Sequence, residues 1–195
     1  MTDSIQQLLQ AWATHDAVTR AIVIVCAAAV TYVLGVAWVV IVAGRRDRLR
    51  VADVARVVAL ALAAYVASTV LTGLVPDPRP YLVAHAQPLI PISRDNGFPS
   101  DHTLLAAALT VSLWWIDRRL APVFAVCTVL VALGRLGVGA HHTLDVVGSI
   151  AIAVTLGALI GLVPLPTAWS RPFLPVLRTV ARAIRRPIVR RDPLA

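Results

Sequence analysis

The chain has 195 residues, 58% of them hydrophobic and only 14% charged, with a mean hydropathy of +0.79. A soluble domain of this size needs more charge to cover its surface, so the composition excludes an ordinary water-soluble globule and puts the membrane class first. The formal net charge of +8 comes from 18 basic residues, all arginine, against 10 acidic residues, all aspartate. Their positions along the chain, given below, argue for membrane topology and against a nucleic-acid partner.

In residues 1–20, Ile5, Leu8, Leu9 and Trp12 recur at helical spacing opposite Gln6, Gln7 and Gln10. This pattern predicts a short amphipathic helix lying on the membrane surface. Apolar runs follow at Ala21–Ala43, Val51–Val75, Thr103–Ile116, Leu120–Gly134 and Val146–Val163. The first has no basic leader and ends in Arg45-Arg46-Asp47-Arg48, a stop-transfer flank rather than a cleavage signal. The first two runs are long enough to cross ~30 Å of hydrocarbon. The third and fourth are short, but flanked by such spans they are predicted to cross as well. The expected fold is all-α: a polytopic bundle of five transmembrane helices over residues 21–164, preceded by the surface helix and followed by a basic tail over residues 165–195. Cys26 and Cys127 each sit alone in an apolar run, which predicts small buried hydrophobes and neither a disulfide framework nor a metal site.

Orientation follows from the arginines. Fourteen of the 18 fall in the first interhelix turn and the start of the next helix (Arg45 to Arg56), the third turn (Arg118, Arg119) and the tail. The positive-inside rule assigns that side to the cytoplasm, with the N-terminus outside and the C-terminus inside. The tail is expected to lie against anionic lipid. Of the four outward arginines, Arg20 suits an interfacial anchor. Arg79 and Arg135 fall in polar clusters, and Arg94 lies in the loop between them.

The clusters are Asp77-Pro78-Arg79-Pro80, Phe98-Pro99-Ser100-Asp101-His102 and Arg135-x5-His141-x3-Asp145. The topology brings all three to the outer face. Taken singly, each has a plainer reading: a loop start, a helix cap, and a metal site for His141-His142-x2-Asp145. Together they supply the parts of phosphoryl transfer. On a helical start to the last span, His141 and Asp145 share a face, so Asp145 holds one imidazole nitrogen and frees the other to attack phosphorus. His102 suits a general acid and base. Arg79 and Arg135 offer paired donors to phosphate, and Ser100 with the amides after it forms an anion-favouring helix N-terminus. The helices below His102 and Arg135 are only about 21 and 22 Å long, which sinks the site below the outer interface. His15 and His85 receive no role.

The ordered set Arg-Pro, Pro-Ser-x-His, Arg-x5-His-x3-Asp resembles the type-2 phosphatidic acid phosphatase superfamily over roughly residues 51–163. Phe98-Pro99-Ser100-Asp101-His102-Thr103, with Pro78-Arg79-Pro80, His85 and Leu89-Ile90-Pro91, is similar to the bacterial undecaprenyl-diphosphatase branch. The resemblance implies a multi-pass enzyme of the bacterial plasma membrane. It would cleave phosphate from a lipid through a phosphohistidine, without metal or cofactor, and regenerate a cell-wall lipid carrier in a manner associated with bacitracin resistance. It further implies His141 as nucleophile, Asp145 as its partner, His102 as general acid, and Arg79, Ser100 and Arg135 as phosphate ligands. Asp101 belongs with them by position, its carboxylate expected to turn onto helix amides or Arg94. Two positions depart from the family pattern. Thr72 stands where the first motif has Lys, leaving Arg94 as a possible auxiliary cation, and Gly134 stands where the third motif has Ser. The alternatives are a broader phospholipid phosphatase acting on phosphatidate or phosphatidylglycerol phosphate, and a non-catalytic lipid-phosphate binder or transporter.

Overall fold

The computed structural model describes residues 3–85 and 87–184. Arg185, Arg186, Arg190 and Arg191, counted above with the basic tail, lie outside the described residues. The chain is helical: α1 (Ser4–His15), α2 (Ala17–Arg45), α3 (Val51–Leu74), α4 (Asp101–Ile116), α5 (Ala121–Gly137), α6 (Thr143–Leu162) and α7 (Phe173–Ile184). Single turns occur at Pro80–Val83 and Thr167–Ser170, and among the described residues the only β-type pairing is one bridge between Arg50 and Pro172. The all-α membrane bundle expected from the sequence is therefore present in α2 to α6. Its ends differ from expectation: α5 continues past Gly134 to Gly137, and α6 starts at Thr143 rather than Val146.

Helices α2, α3 and α6 are long and apolar enough to cross a bilayer. The most apolar window of α3 has a mean hydropathy of 2.1 yet is only 11% buried within the protein. A helix so apolar and so little covered has to find its solvent in lipid. Tyr32, Val36, Leu62, Tyr65, Leu144 and Leu162 on these helices point outward, well exposed.

Helix α4 is the axis, packed against α2, α3, α5 and α6. Association in lipid gains little from apolar burial and relies on close fit and hydroxyl bonds. Leu34, Ala106, Leu113, Phe124 and Val131 form the apolar centre. Trp38 Nε1 donates to Ser112 Oγ at 2.7 Å, and the Thr110 and Thr128 hydroxyls pair at 2.9 Å. Cys26 and Cys127 are free and half-buried, not fully enclosed as expected, because both lie on helix faces that graze the bundle surface. Helix α2 widens into a π turn at Val25–Ala29, and Gly134 of α5 presses on that turn.

At one end of the bundle Arg45 pairs with Asp117, and Phe173 N–H donates to Leu49 O at 2.8 Å, docking α7 beside the arginine-rich turn. Helix α7 is not anticipated by the proline-rich tail. Pro175 falls in its first turn, where no intrahelical N–H is required. At the other end α1 folds back over the loop joining α5 and α6 as an amphipathic helix, with its polar face turned to the protein. Gln6 is 3% exposed and donates to Leu136 O at 3.3 Å, while Ile5, Leu8 and Trp12 remain exposed. The glutamine face serves the protein, and the apolar face is left for lipid.

Candidate active site

The loops 75–100 and 138–142, with the first turns of α4 and α6, meet at the end of the bundle opposite the arginine-rich turn. His141 is central and 2% exposed. Its Nδ1 lies 2.8 Å from Gly97 O. A carbonyl only accepts, so Nδ1 carries the hydrogen and Nε2 is left with its lone pair. Two guanidinium groups converge on that lone pair: Arg79 Nη1 at 3.2 Å and Arg135 Nη2 at 3.3 Å. Both arginines are buried, and Arg135 Nε, also buried, has no partner. An orphaned cationic donor in such surroundings is costly unless an anion completes it. Burial, then the Arg135 and Arg79 charges, push the His141 imidazole down to about 3, which keeps it neutral.

Arg79 is braced on its other edge by Asp95, whose Oδ1 accepts from Nη2 at 2.6 Å and Nε at 3.1 Å. Burial acts to raise the Asp95 carboxyl, but the bonds from Ser93 and Arg79 outweigh it and hold it low. Asn96 stitches the loop together. Its Oδ1 accepts from Asp77 N at 2.5 Å, and its Nδ2 donates to the carbonyls of Thr72, Val75 and Phe98. Phe98 wedges against Gly148, where a methyl would lie 2.6 Å from the ring. Ser149 joins the second and third motifs, accepting from Ser100 N at 2.9 Å and donating to Asp145 O at 2.7 Å.

Several expectations need correction. His141 is not helical, because α6 begins at Thr143 with His142 at its cap position. Asp145 reaches back as a capping residue, its Oδ2 taking the His142 amide at 2.7 Å and standing 3.5 Å from His141 Nδ1. The atom that fixes the imidazole is the Gly97 carbonyl. Ser100 occupies the cap position of α4, yet its hydroxyl pairs with Thr103 Oγ1 at 3.0 Å and caps no amide. Asp101 turns to neither amides nor Arg94; its Oδ1 accepts from Ser68 on α3 at 2.8 Å. Arg94 is exposed, and Thr72 offers its carbonyl to Asn96 and its side chain to a groove, so neither joins the guanidinium pair. His102 is half-buried on the first turn of α4, edge-on to Tyr32 with ring centroids 6.4 Å apart.

The sequence reading missed Gly97, Asp95, Asn96, Ser149 and Asp3. The polar run Ser93 to Asn96 before a Gly-Phe-Pro turn, and a serine one helical turn after Asp145, were the available signals. Asp3 accepts from Thr143 N at 2.5 Å and Thr143 Oγ1 at 2.8 Å, so a residue from the start of the chain caps the helix that follows His141.

A PAP2 superfamily model matches residues 53–166, more than half of the chain, and the chain belongs to that superfamily. It is 32% identical over 98 residues to the undecaprenyl-diphosphatase BcrC of Bacillus subtilis (strain 168). That stretch is 50% of this chain and 51% of the relative, so the match spans about half of each. The fold is similar to the crystal structure of a transmembrane PAP2-type phosphatidylglycerolphosphate phosphatase from Bacillus subtilis, with a TM-score of 0.59 over 81% of this chain and 83% of that one. At 21% identity this likeness is one of fold.

Proposed function

We propose that the chain is a membrane lipid phosphatase that hydrolyses a polyprenyl diphosphate to the monophosphate and phosphate, with His141 as nucleophile. The observation that carries this reading is the unprotonated Nε2 of His141 at the point where two buried guanidinium groups converge. A terminal phosphoryl group at that point has its oxygens met by Arg79 and Arg135 while Nε2 attacks phosphorus in line. His102 gives a proton to the departing lipid-phosphate oxygen. It then takes one from the water that attacks the phosphohistidine and releases phosphate. Gly97 O holds the ring throughout, with the Asp145 carboxylate beside it.

A groove of about 720 Å³ between α2, α3 and α4 supports a lipid substrate. It begins beside Thr72 and Asp101 and runs between Leu60, Tyr65 and Leu104 to Trp38. The likeness to BcrC favours a polyprenyl tail. On the positive-inside rule the arginine-rich end and α7 lie in the cytoplasm, which puts the site and α1 at the extracytoplasmic face of a bacterial plasma membrane. There the reaction returns a cell-wall lipid carrier to use.

The test is phosphate release from undecaprenyl diphosphate in detergent with excess chelator, comparing wild type with His141→Ala. Release by wild type alone is expected. Turnover by His141→Ala above a few per cent removes that residue as nucleophile. Phosphatidate or phosphatidylglycerol phosphate turned over faster than the diphosphate overturns the assigned substrate and leaves the reaction class standing.

A further inference from the structure

One buried oxygen behind the site is unexplained: Asp77 Oδ2 meets no hydrogen-bond donor. What it meets is the Asp145 carboxylate. The two close on Gly97 together, for a methyl on that glycine would lie 3.1 Å from Asp77 Oδ2 and 3.3 Å from Asp145 Oδ2. Asp145 is 1% exposed. Two ionised carboxylates meeting away from water repel strongly. The other titratable groups facing Asp77 are His141 and His142. His141 is committed through Nδ1–H to Gly97 O, and His142 Nε2 lies 3.2 Å from Pro78 O. Arg79, two residues on, is spent on Asp95, Ala140 O and His141. Among the described residues neither acid pairs with an arginine. A shared proton removes the repulsion and gives Asp77 Oδ2 its partner.

We propose that Asp77 and Asp145 hold one proton between them, with Asp77 donating O–H to Asp145, and that Asp77 is thereby a positioning residue for His141. The inference rests on His141 as the nucleophile. When Nε2 bonds to phosphorus the imidazole becomes cationic. The acid pair then presents it with a single negative charge, held in place by the Asp77 hydroxyl on one side and the His142 amide on the other. Loss of the shared proton sets two like charges against each other at the turn that carries Arg79. Burial and the Asp145 carboxylate push the Asp77 carboxyl far above the ordinary range, the direction this arrangement needs.

The test uses the full chain in detergent, with Asp77→Asn and Asp77→Ala. Wild type should show an infrared C=O band of a protonated carboxyl at neutral pH that shifts in D2O and is missing from Asp77→Asn. Its kcat/KM should fall on the alkaline side as the pair loses its proton. Asp77→Asn, a permanent neutral donor to Asp145, should keep neutral-pH turnover within about threefold and lose the part of that alkaline fall owed to the pair, leaving the part owed to His102. Asp77→Ala should lose roughly tenfold or more. Absence of the band from wild type, or an unchanged alkaline fall in Asp77→Asn, overturns the proposal. The band does not depend on turnover, so its presence in a catalytically silent wild type would count against the assigned reaction and leave the shared proton in place. If Asp77→Ala does not fold, the band and the asparagine profile decide alone.

Discussion

Gly134 precedes Arg135, one of the two arginines that converge on His141, at a position where the family's third motif has Ser, and Gly134→Ser is the most informative single change. A Cβ on residue 134 would lie 2.4 Å from Ala27 N, 2.7 Å from Cys26 C and 2.9 Å from Ala27 Cα. All three are backbone atoms, so no side chain can swing aside. Restoring an ordinary contact of about 3.5 Å requires α2 and α5 to part by about 1 Å. Overpacking of this kind costs about 1–3 kcal/mol, and the helix propensity gained over Gly recovers no more than about 1 kcal/mol. Arg135 moves with the helix, and a 1 Å misplacement of a clamping group costs on the order of 10²-fold in rate. Thermal unfolding in detergent and phosphate release should therefore both fall for Gly134→Ser. Gly35→Ala, where nothing lies within 4 Å of the added carbon, should hold or gain stability. A Gly134→Ser protein with wild-type melting temperature and turnover would refute the reasoning. It would mean that the α2–α5 contact is looser than described and that the departure from Ser has another cause.

Asp145→Asn should lower kcat by roughly 10–100-fold and not the ~10⁴-fold of a lost tautomer, because Gly97 O already holds Nδ1–H. A loss near 10⁴-fold would give Asp145 the tautomer after all. Asp3→Ala removes the acceptor for Thr143 N and Thr143 Oγ1 and should cost about 1–2 kcal/mol by chemical denaturation, with a fall in kcat. An unchanged kcat would show that α1 anchors the chain without bracing the His141 loop. In the free enzyme the His141 pKa lies at about 3, so lowering pH through the ordinary histidine range leaves the nucleophile unprotonated. The kcat/KM profile should accordingly show no acid limb owed to His141 above about 4. A limb near 6.5 that moves with Arg79 or Arg135 substitutions would contradict this.

Much of the architecture was legible in the order of residues alone. Hydropathy, helix length and arginine placement are properties of short segments, and a bilayer converts them into a nearly one-dimensional topology. That is why Arg79, Ser100, His102, Arg135, His141 and Asp145 could be assigned to one end of a five-helix bundle before any coordinates. What holds those residues was hidden, because the partners are groups without a sequence signature. The carbonyl of Gly97 could have come from any residue. Its value lies in a loop that glycine lets pass between two carboxylates. The i, i+4 spacing of His141 and Asp145 suggested a shared helical face, but a spacing does not say where a helix starts. The His142 amide, capped by Asp145, fixes that start at Thr143. Gly134 looked like a lost hydroxyl until the backbone of α2 was found against it. Local sequence thus determined which residues gather at one end of the bundle. Only tertiary packing decided which atoms touch, because capping, close backbone approach and carboxylate pairing arise between segments that the sequence keeps far apart.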